Sequence, residues 1–197
     1  MNIAVFASGN GSNFQAIASA VKSKKLKCAL KLLVCDNPRA LVLKRAQKAK
    51  IAAFLINRGG YQSKEDFEGA IIRRLKEERI DLIVLAGFMR ILSLKFINEY
   101  KNKILNIHPS LLPSFKGAHA IADAFNYGVK VTGVTVHIVD EQMDHGPIIL
   151  QETVKACEKG TLKGLEKKIH AVERRLYPAA IRAFIQGKIK IEGRKVR

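Results

Sequence analysis

The sequence predicts a doubly wound α/β fold: a Rossmann-like, mostly parallel sheet with helices on both faces and an antiparallel strand addition towards the C-terminus. Three observations carry that expectation. Short, continuously apolar runs recur through the first half of the chain, as strands buried on both faces do. Stretches of helical spacing separate them. Beyond residue 130, two apolar runs follow one another across a short connection, which reads as antiparallel pairing.

The elements follow in order. NIAVFA (2–7) is the first strand, and a helix runs from about Phe14 to Lys22. ALKLLVC (29–35) is a second strand, ended by Asp36-Asn37-Pro38, and residues 40–50 have helical spacing. IAAFLI (51–56) is a third strand. Glu65 to Glu78 is an amphipathic helix with Phe67, Ile71, Ile72 and Leu75 on one side. DLIVLA (81–86) and ILNI (104–107) are the fourth and fifth strands. VTGVTVHIVD (131–140) and PIILQETV (147–154) form the antiparallel pair. Residues 161–187 read as mainly helical, and KIKIE (188–192) as a short edge strand. No repeat, linker or low-complexity segment divides residues 1–197, so a single domain is expected.

Bulk properties narrow the function. The chain has 197 residues, 48% hydrophobic and 26% charged, as ordinary globular proteins do. No apolar run approaches the roughly 18–20 residues of a membrane helix, and the N-terminus lacks a basic, cleavable leader pattern. Cys28, Cys35 and Cys157 have no CxxC spacing; they read as free thiols of a cytoplasmic protein without a structural metal. The formal charge of +18 attracts polyanions, either nucleic acid or a small phosphorylated or polycarboxylate substrate. The basic clusters, at 22–27, at 44–50, around Arg73 and Lys76 and at 192–197, are not interleaved with aromatics. They read as a solvated surface rather than a nucleic-acid platform.

Three stretches carry chemistry. SGNGSNF (8–14) places Gly9 and Gly11 at a strand-to-helix turn, with Ser12 and Asn13 as donors. A helix N-terminus there is suited to an anion. A phosphate site, a dinucleotide site and an empty turn all remain open. Phe14 stands where a dinucleotide fingerprint needs its last glycine, yet Asp36 ends the second strand as a ribose-binding acid would. AGFMRILS (86–93) is an apolar loop at the carboxyl end of a strand; it either tucks onto the core or walls a flat aromatic ligand. In ILNIHP, Asn106 and His108 are two residues apart on a strand and project to one side, at the edge where open α/β sheets bind ligands. An amide and an imidazole converging there suit an oxyanion, and the imidazole also suits general acid work. Such a histidine needs a carboxylate neighbour. VDEQMDHGP offers Asp140, Glu141 and Asp144, and Asp144, just before His145-Gly146-Pro147, is the favoured one. His137 shares a face with Thr135 and reads equally as cleft or core; His119 and His145 have no assigned role. No His/Cys cluster or H-E-x-x-H spacing suggests a metal.

ASGNGSN, VLAGFMRILS, ILNIHPSLLPSFKG and TVHIVDEQMDHGPIILQ, in this order and spacing, resemble the folate-dependent formyltransferases. Within that family the resemblance is to the phosphoribosylglycinamide formyltransferases, over essentially the whole chain. It implies that the amine of glycinamide ribonucleotide attacks the formyl carbon of 10-formyltetrahydrofolate in purine biosynthesis, with no metal. By resemblance, Asn106 and His108 stabilise the oxyanion, His108 donates a proton, and Asp144 supports His108 and relays the proton. Gly11, Ser12 and Asn13 bind the ribonucleotide phosphate region, and Glu173, with His170, the ribose side. Met89, Arg90, Ile91 and Leu92, with Asn106 and the Asp140–Asp144 loop, hold the pterin, and Lys64 lies near the folate tail. The resemblance also implies small-molecule partners, no nucleic acid or membrane, and a monomer or homodimer. Two positions depart from the family pattern: Lys64 replaces a frequent Arg, losing the bidentate fork, and His170 replaces a frequent Gln. The rivals are a formyltetrahydrofolate deformylase, which carries an extra N-terminal domain, and a methionyl-tRNA formyltransferase, which carries an extra C-terminal one. A non-catalytic nucleotide- or RNA-binding module and a dinucleotide oxidoreductase complete the set.

Overall fold

The computed structural model describes residues 1–156 and 160–197; Cys157 lies outside them. The chain divides into two compact units, Met1–Leu105 and Asn106–Arg197. The strands of the larger sheet take the order β3-β2-β1-β4-β5-β6-β7, with a separate two-stranded β8-β9 sheet. This is the expected mostly parallel, doubly wound arrangement with an antiparallel addition.

In the first unit, β1 (Asn2–Phe6) pairs in parallel with β2 (Ala29–Cys35) and β4 (Leu82–Leu85), and β2 with β3 (Ala52–Leu55). Ile3, Val5, Leu32, Val34, Ile83 and Val84 are fully buried, which is why these strands read as unbroken apolar runs. β3 is the exception. It is the outermost strand, and Ala52, Ala53 and Leu55 are exposed. Helices α1 (Ser12–Lys22), α2 (Leu41–Ala49) and α3 (Lys64–Glu77) match the expected spacing. The Ser63 hydroxyl caps α3, accepting from the Asp66 N–H at 3.0 Å, and Glu65 and Asp66 complement the helix dipole. α4 (Leu94–Glu99) was not anticipated: six residues are too few to show a period, and only its cap, Ser93, marked it.

The second unit takes β5 (Ile104–His108) from Asn106 onward. It adds α5 (Ala120–Tyr127), likewise too short to be anticipated, and the antiparallel pair β6 (Val131–Ile138) and β7 (Ile148–Lys155). The long α6 (Leu162–Ile185) contains Pro178. The expected edge strand at 188–192 is corrected. β8 (Ile191–Glu192) pairs with β9 (Lys195–Val196) in its own hairpin, because Gly193 at φ +60° turns the chain back at once. Among the described residues, no helix is long and apolar enough to cross a membrane.

The β6–β7 connection is the tightest point of this unit. The Ile138 N–H donates to the Pro147 carbonyl at 2.9 Å, and a Cβ on Gly146 would overlap the Ile138 carbonyl oxygen. Gly146→Ala is therefore expected to destabilise the protein by about 2–3 kcal/mol, read as an earlier midpoint in urea unfolding.

Candidate active site

β5 ends by projecting Asn106 and His108 to one side, as the period of a strand requires. The structure brings Asp144 to both. Its Oδ1 lies 3.4 Å from Asn106 Nδ2, and its Oδ2 lies 3.4 Å from His108 Nδ1. Asp144 sits in the left-handed region at φ +49°, which aspartate tolerates better than most residues. The Gly117 N–H, donating to Oδ2 at 2.8 Å, anchors the carboxylate.

His137, whose role the sequence left open, belongs to this cluster. Burial pushes its imidazole below the ordinary histidine value, so it is neutral. Its Nδ1 donates to the Ile138 carbonyl at 2.8 Å, which leaves Nε2 to accept from Asn106 Nδ2 at 3.1 Å. The alternation with Thr135 was its one sequence signal. His108 is similarly fixed. Its Nε2 donates to the Phe115 carbonyl at 2.7 Å, and Phe115 itself holds φ +51°, a sparsely populated conformation for an aromatic residue. The segment after His108 contains a cis Leu112–Pro113 bond and is tied to β6 and β7. Thr135 donates to the Ser110 carbonyl at 2.7 Å and accepts from the Leu112 N–H and from Gln151 Nε2, so its hydroxyl is fully used.

The arrangement differs from an open oxyanion site in one respect: the His108 ring nitrogens already face acceptors of this unit. Asn106 keeps more freedom. One of its two amide hydrogens serves His137, and the other meets Asp144 only at 3.4 Å. The cluster thus holds an amide donor, an imidazole and a carboxylate with their orientations set, which suits proton transfer and stabilisation of an oxyanion.

Asp140 is committed to its own turn: Oδ1 accepts from the Gln142 N–H at 3.1 Å and Oδ2 from His145 Nδ1 at 2.8 Å. On α6, His170 and Glu173 share a face as the spacing predicts. His170 Nδ1 lies 2.9 Å from Glu173 Oε2, and that hydrogen bond raises the half-exposed imidazole above its ordinary value.

The first unit carries the remaining candidates. Gly11 sits at φ +76°, and a Cβ there would come 2.5 Å from Val42 Cγ2, so only glycine fits between α1 and α2. Gly9 has open space and no such requirement. Gly11 is the N-cap of α1 and makes no side-chain cap hydrogen bond, and Ser12 and Asn13 open the helix's first turn. Asp36 is not a free ribose acid: its Oδ2 takes Arg90 Nε at 2.6 Å. The 86–93 loop combines both of its expected behaviours. Phe88 packs edge-on against Phe6 and Leu92 is buried, whereas Met89 and Ile91 are 72% and 71% exposed.

That loop is pinned from behind. The Met89 N–H donates to Ser8 Oγ at 3.0 Å, and the Arg90 guanidinium lies over Phe67. Glu68, buried on α3, accepts from the Ser93 N–H at 2.9 Å and from the Ser93 hydroxyl. Sequence reasoning missed Glu68, because an acid in an amphipathic helix carries no sign of a partner 25 residues away. Glu68→Ala strands two donors of Ser93 and is expected to cost about 2 kcal/mol, read by chemical denaturation, with faster amide exchange across the loop. Lys64 is half-exposed and 3.9 Å from Glu68, a weak pair.

A family model described as formyl transferase matches residues 1–181. The chain is 47% identical over 182 residues to the phosphoribosylglycinamide formyltransferase of Bacillus subtilis (strain 168), spanning 92% of this chain and 93% of that one. The crystal structure of glycinamide ribonucleotide transformylase 1 from Symbiobacterium toebii superposes at a TM-score of 0.98 with 41% identity, covering 100% of this chain and 93% of that one. A formyltetrahydrofolate deformylase from Pseudomonas syringae superposes at 0.92 with 25% identity, over 99% of this chain but 64% of that one. With its fold, its Asn106–His108–Asp144 cluster and these matches, the chain belongs to the formyl transferase family.

Proposed function

We propose that the protein transfers the formyl group of 10-formyltetrahydrofolate to the amine of N1-(5-phospho-D-ribosyl)glycinamide, giving the N-formyl product and tetrahydrofolate in purine biosynthesis. Residues 1–197 act as one formyltransferase domain. The observation that carries this reading is the Asn106–His108–Asp144 cluster, held at 3.4 Å contacts by its own unit.

The chemistry follows from those contacts. The free amine attacks the formyl carbon, a C–N bond forms, and the carbonyl oxygen takes up negative charge. The second amide hydrogen of Asn106 and a ring N–H of His108 donate to that oxygen, His108 exchanging the Phe115 carbonyl for it. Asp144 accepts the proton the amine sheds, His108 donates a proton to N10 of the folate as the C–N10 bond breaks, and Asp144 returns its proton to His108 across their 3.4 Å contact. Atoms and charge balance without an added reductant or oxidant. 10-Formyltetrahydrofolate is the co-substrate.

The binding roles are proposals of the same kind. Gly11, Ser12 and Asn13 bind the phosphate at the N-terminus of α1, where the helix dipole favours an anion, and His170 with Glu173 binds the ribose. The exposed Met89 and Ile91 offer apolar surface to the pterin, with Leu92 behind them. Arg90 and Asp140 contribute through backbone groups, since their side chains are engaged by Asp36 and His145. Lys64 attracts the folate tail carboxylates as a point charge. The free thiols of Cys28 and Cys35 support a cytoplasmic location. Identity of 47% to a transferase against 25% to a deformylase favours an amine over water as the acceptor.

Carbon-13 placed in the formyl group tests the reading. The label is expected on the amine nitrogen of the ribonucleotide, as an amide signal by NMR. Label found only as free formate would identify a deformylase instead.

A further inference from the structure

We infer that Arg194, at the tip of the C-terminal hairpin, is a positioning residue for the turn that presents Asp144. The inference rests on the proposed transfer reaction and adds a part to it. The match to the family model ends at residue 181, so the hairpin lies beyond the stretch that defines the family.

The hairpin is built to hold one side chain out. Glu192 pairs with Lys195 across a two-residue turn, with Gly193 at φ +60° and Arg194 in an ordinary conformation, the pattern of a type II′ turn. Lys190 and Arg197 exchange backbone hydrogen bonds at 2.7 and 2.9 Å, closing the open end. Glu192 pairs with Lys190 and with Arg197, which leaves Arg194 for another partner.

That partner is His145, the residue after Asp144. Arg194 Nη2 donates to the His145 carbonyl at 2.8 Å, and Nη1 lies against the ring, nearest Nε2 and 3.0 Å from Nδ1. Since His145 Nδ1 donates to Asp140, Nε2 is left as the acceptor that a guanidinium N–H requires. Asp140 in turn holds the Gln142 N–H. Arg194, His145, Asp140 and Gln142 form a chain of hydrogen bonds across residues 140–145. Asp144, at φ +49°, is the strained member of that turn and depends on its surroundings to stay there. Gly117 holds its carboxylate, and the Arg194 clamp holds the backbone that follows. Arginine suits the task because its planar fork presents its N–H donors in fixed directions, whereas an ammonium is a compact charge with freely rotating donors. The contacts are exposed and add little to global stability, whereas a displacement of about 1 Å at Asp144 is expensive for catalysis.

The test uses the full chain with Arg194→Ala, Arg194→Lys, His145→Ala and the Arg194→Ala/His145→Ala double variant. Arg194→Ala is expected to lower kcat by about tenfold or more, with a melting temperature within about 2–4 °C of the parent. Amide hydrogen exchange across residues 141–146 is expected to quicken in parallel. Arg194→Lys recovers only part of the loss, and the double variant is no worse than the poorer single one. Unchanged kcat and exchange in Arg194→Ala, or full additivity in the double variant, would overturn the clamp. Absence of transfer by the parent protein would overturn the reaction instead; exchange at 141–146 still reads the clamp in that case. If Arg194→Ala does not fold, Arg194→Lys gives the same reading through its lost fork.

Discussion

His108→Ala is expected to lower kcat by about three to four orders of magnitude. In the proposed mechanism the imidazole serves twice: as a proton donor, worth roughly 10²–10⁴, and as an oxyanion donor, worth roughly 10²–10³. The two do not multiply, because both act on the same transition state. KM for either substrate should move far less than kcat, since all the residues proposed for the phosphate and the pterin except Asn106 lie on other segments. The fold should survive. His108 is buried and hydrogen-bonded to the Phe115 carbonyl, so its loss leaves that acceptor unmet, at about 1–2 kcal/mol. Thermal unfolding separates that cost from the loss of turnover. His108→Gln restores a donor without a titratable proton and should recover only the oxyanion share. Near-normal turnover by His108→Ala would remove the mechanism.

Asp144→Asn is the second large effect and the cleaner substitution. Asparagine has the same shape, tolerates the left-handed conformation at φ +49°, and keeps an oxygen for the Gly117 N–H at 2.8 Å. What it removes is the charge beside His108 and the proposed acceptor for the amine proton. We expect kcat to fall by about 10²–10³-fold with little change in stability. Asp140→Asn is the control. Its carboxylate is used by Gln142 and His145 within the turn, so its loss should cost less than the loss of Asp144. The reverse order, Asp140 mattering more, would reassign the carboxylate.

The legible parts of this protein are those governed by a period or a local cap. β1, β2 and β4 stand out because burial on both faces makes their inner residues, Ile3–Phe6, Leu32–Cys35 and Leu82–Leu85, continuously apolar. Asn106 and His108 could be paired from the strand period alone. Asp144 could be preferred among three acids, and the structure adds the reason: Gly146 packs against the Ile138 carbonyl and sets the turn that delivers it. Other features depend on contacts the sequence does not display. The Phe115 carbonyl reaches His108 only because Phe115 adopts φ +51°. His137 became a partner of Asn106 through a pairing 31 residues long in sequence, and Glu68 became the support of Ser93 through one of 25. The β8–β9 hairpin was read as half of itself, because two-residue strands carry no alternation to detect. Asp36, placed where a ribose acid would be, turned out to anchor Arg90.

The most direct test of the account is a spectrophotometric assay of the purified protein with 10-formyltetrahydrofolate, following tetrahydrofolate release with and without glycinamide ribonucleotide. Release is expected to require the ribonucleotide and to saturate with it. Equal release in its absence, or none in its presence, would contradict the account.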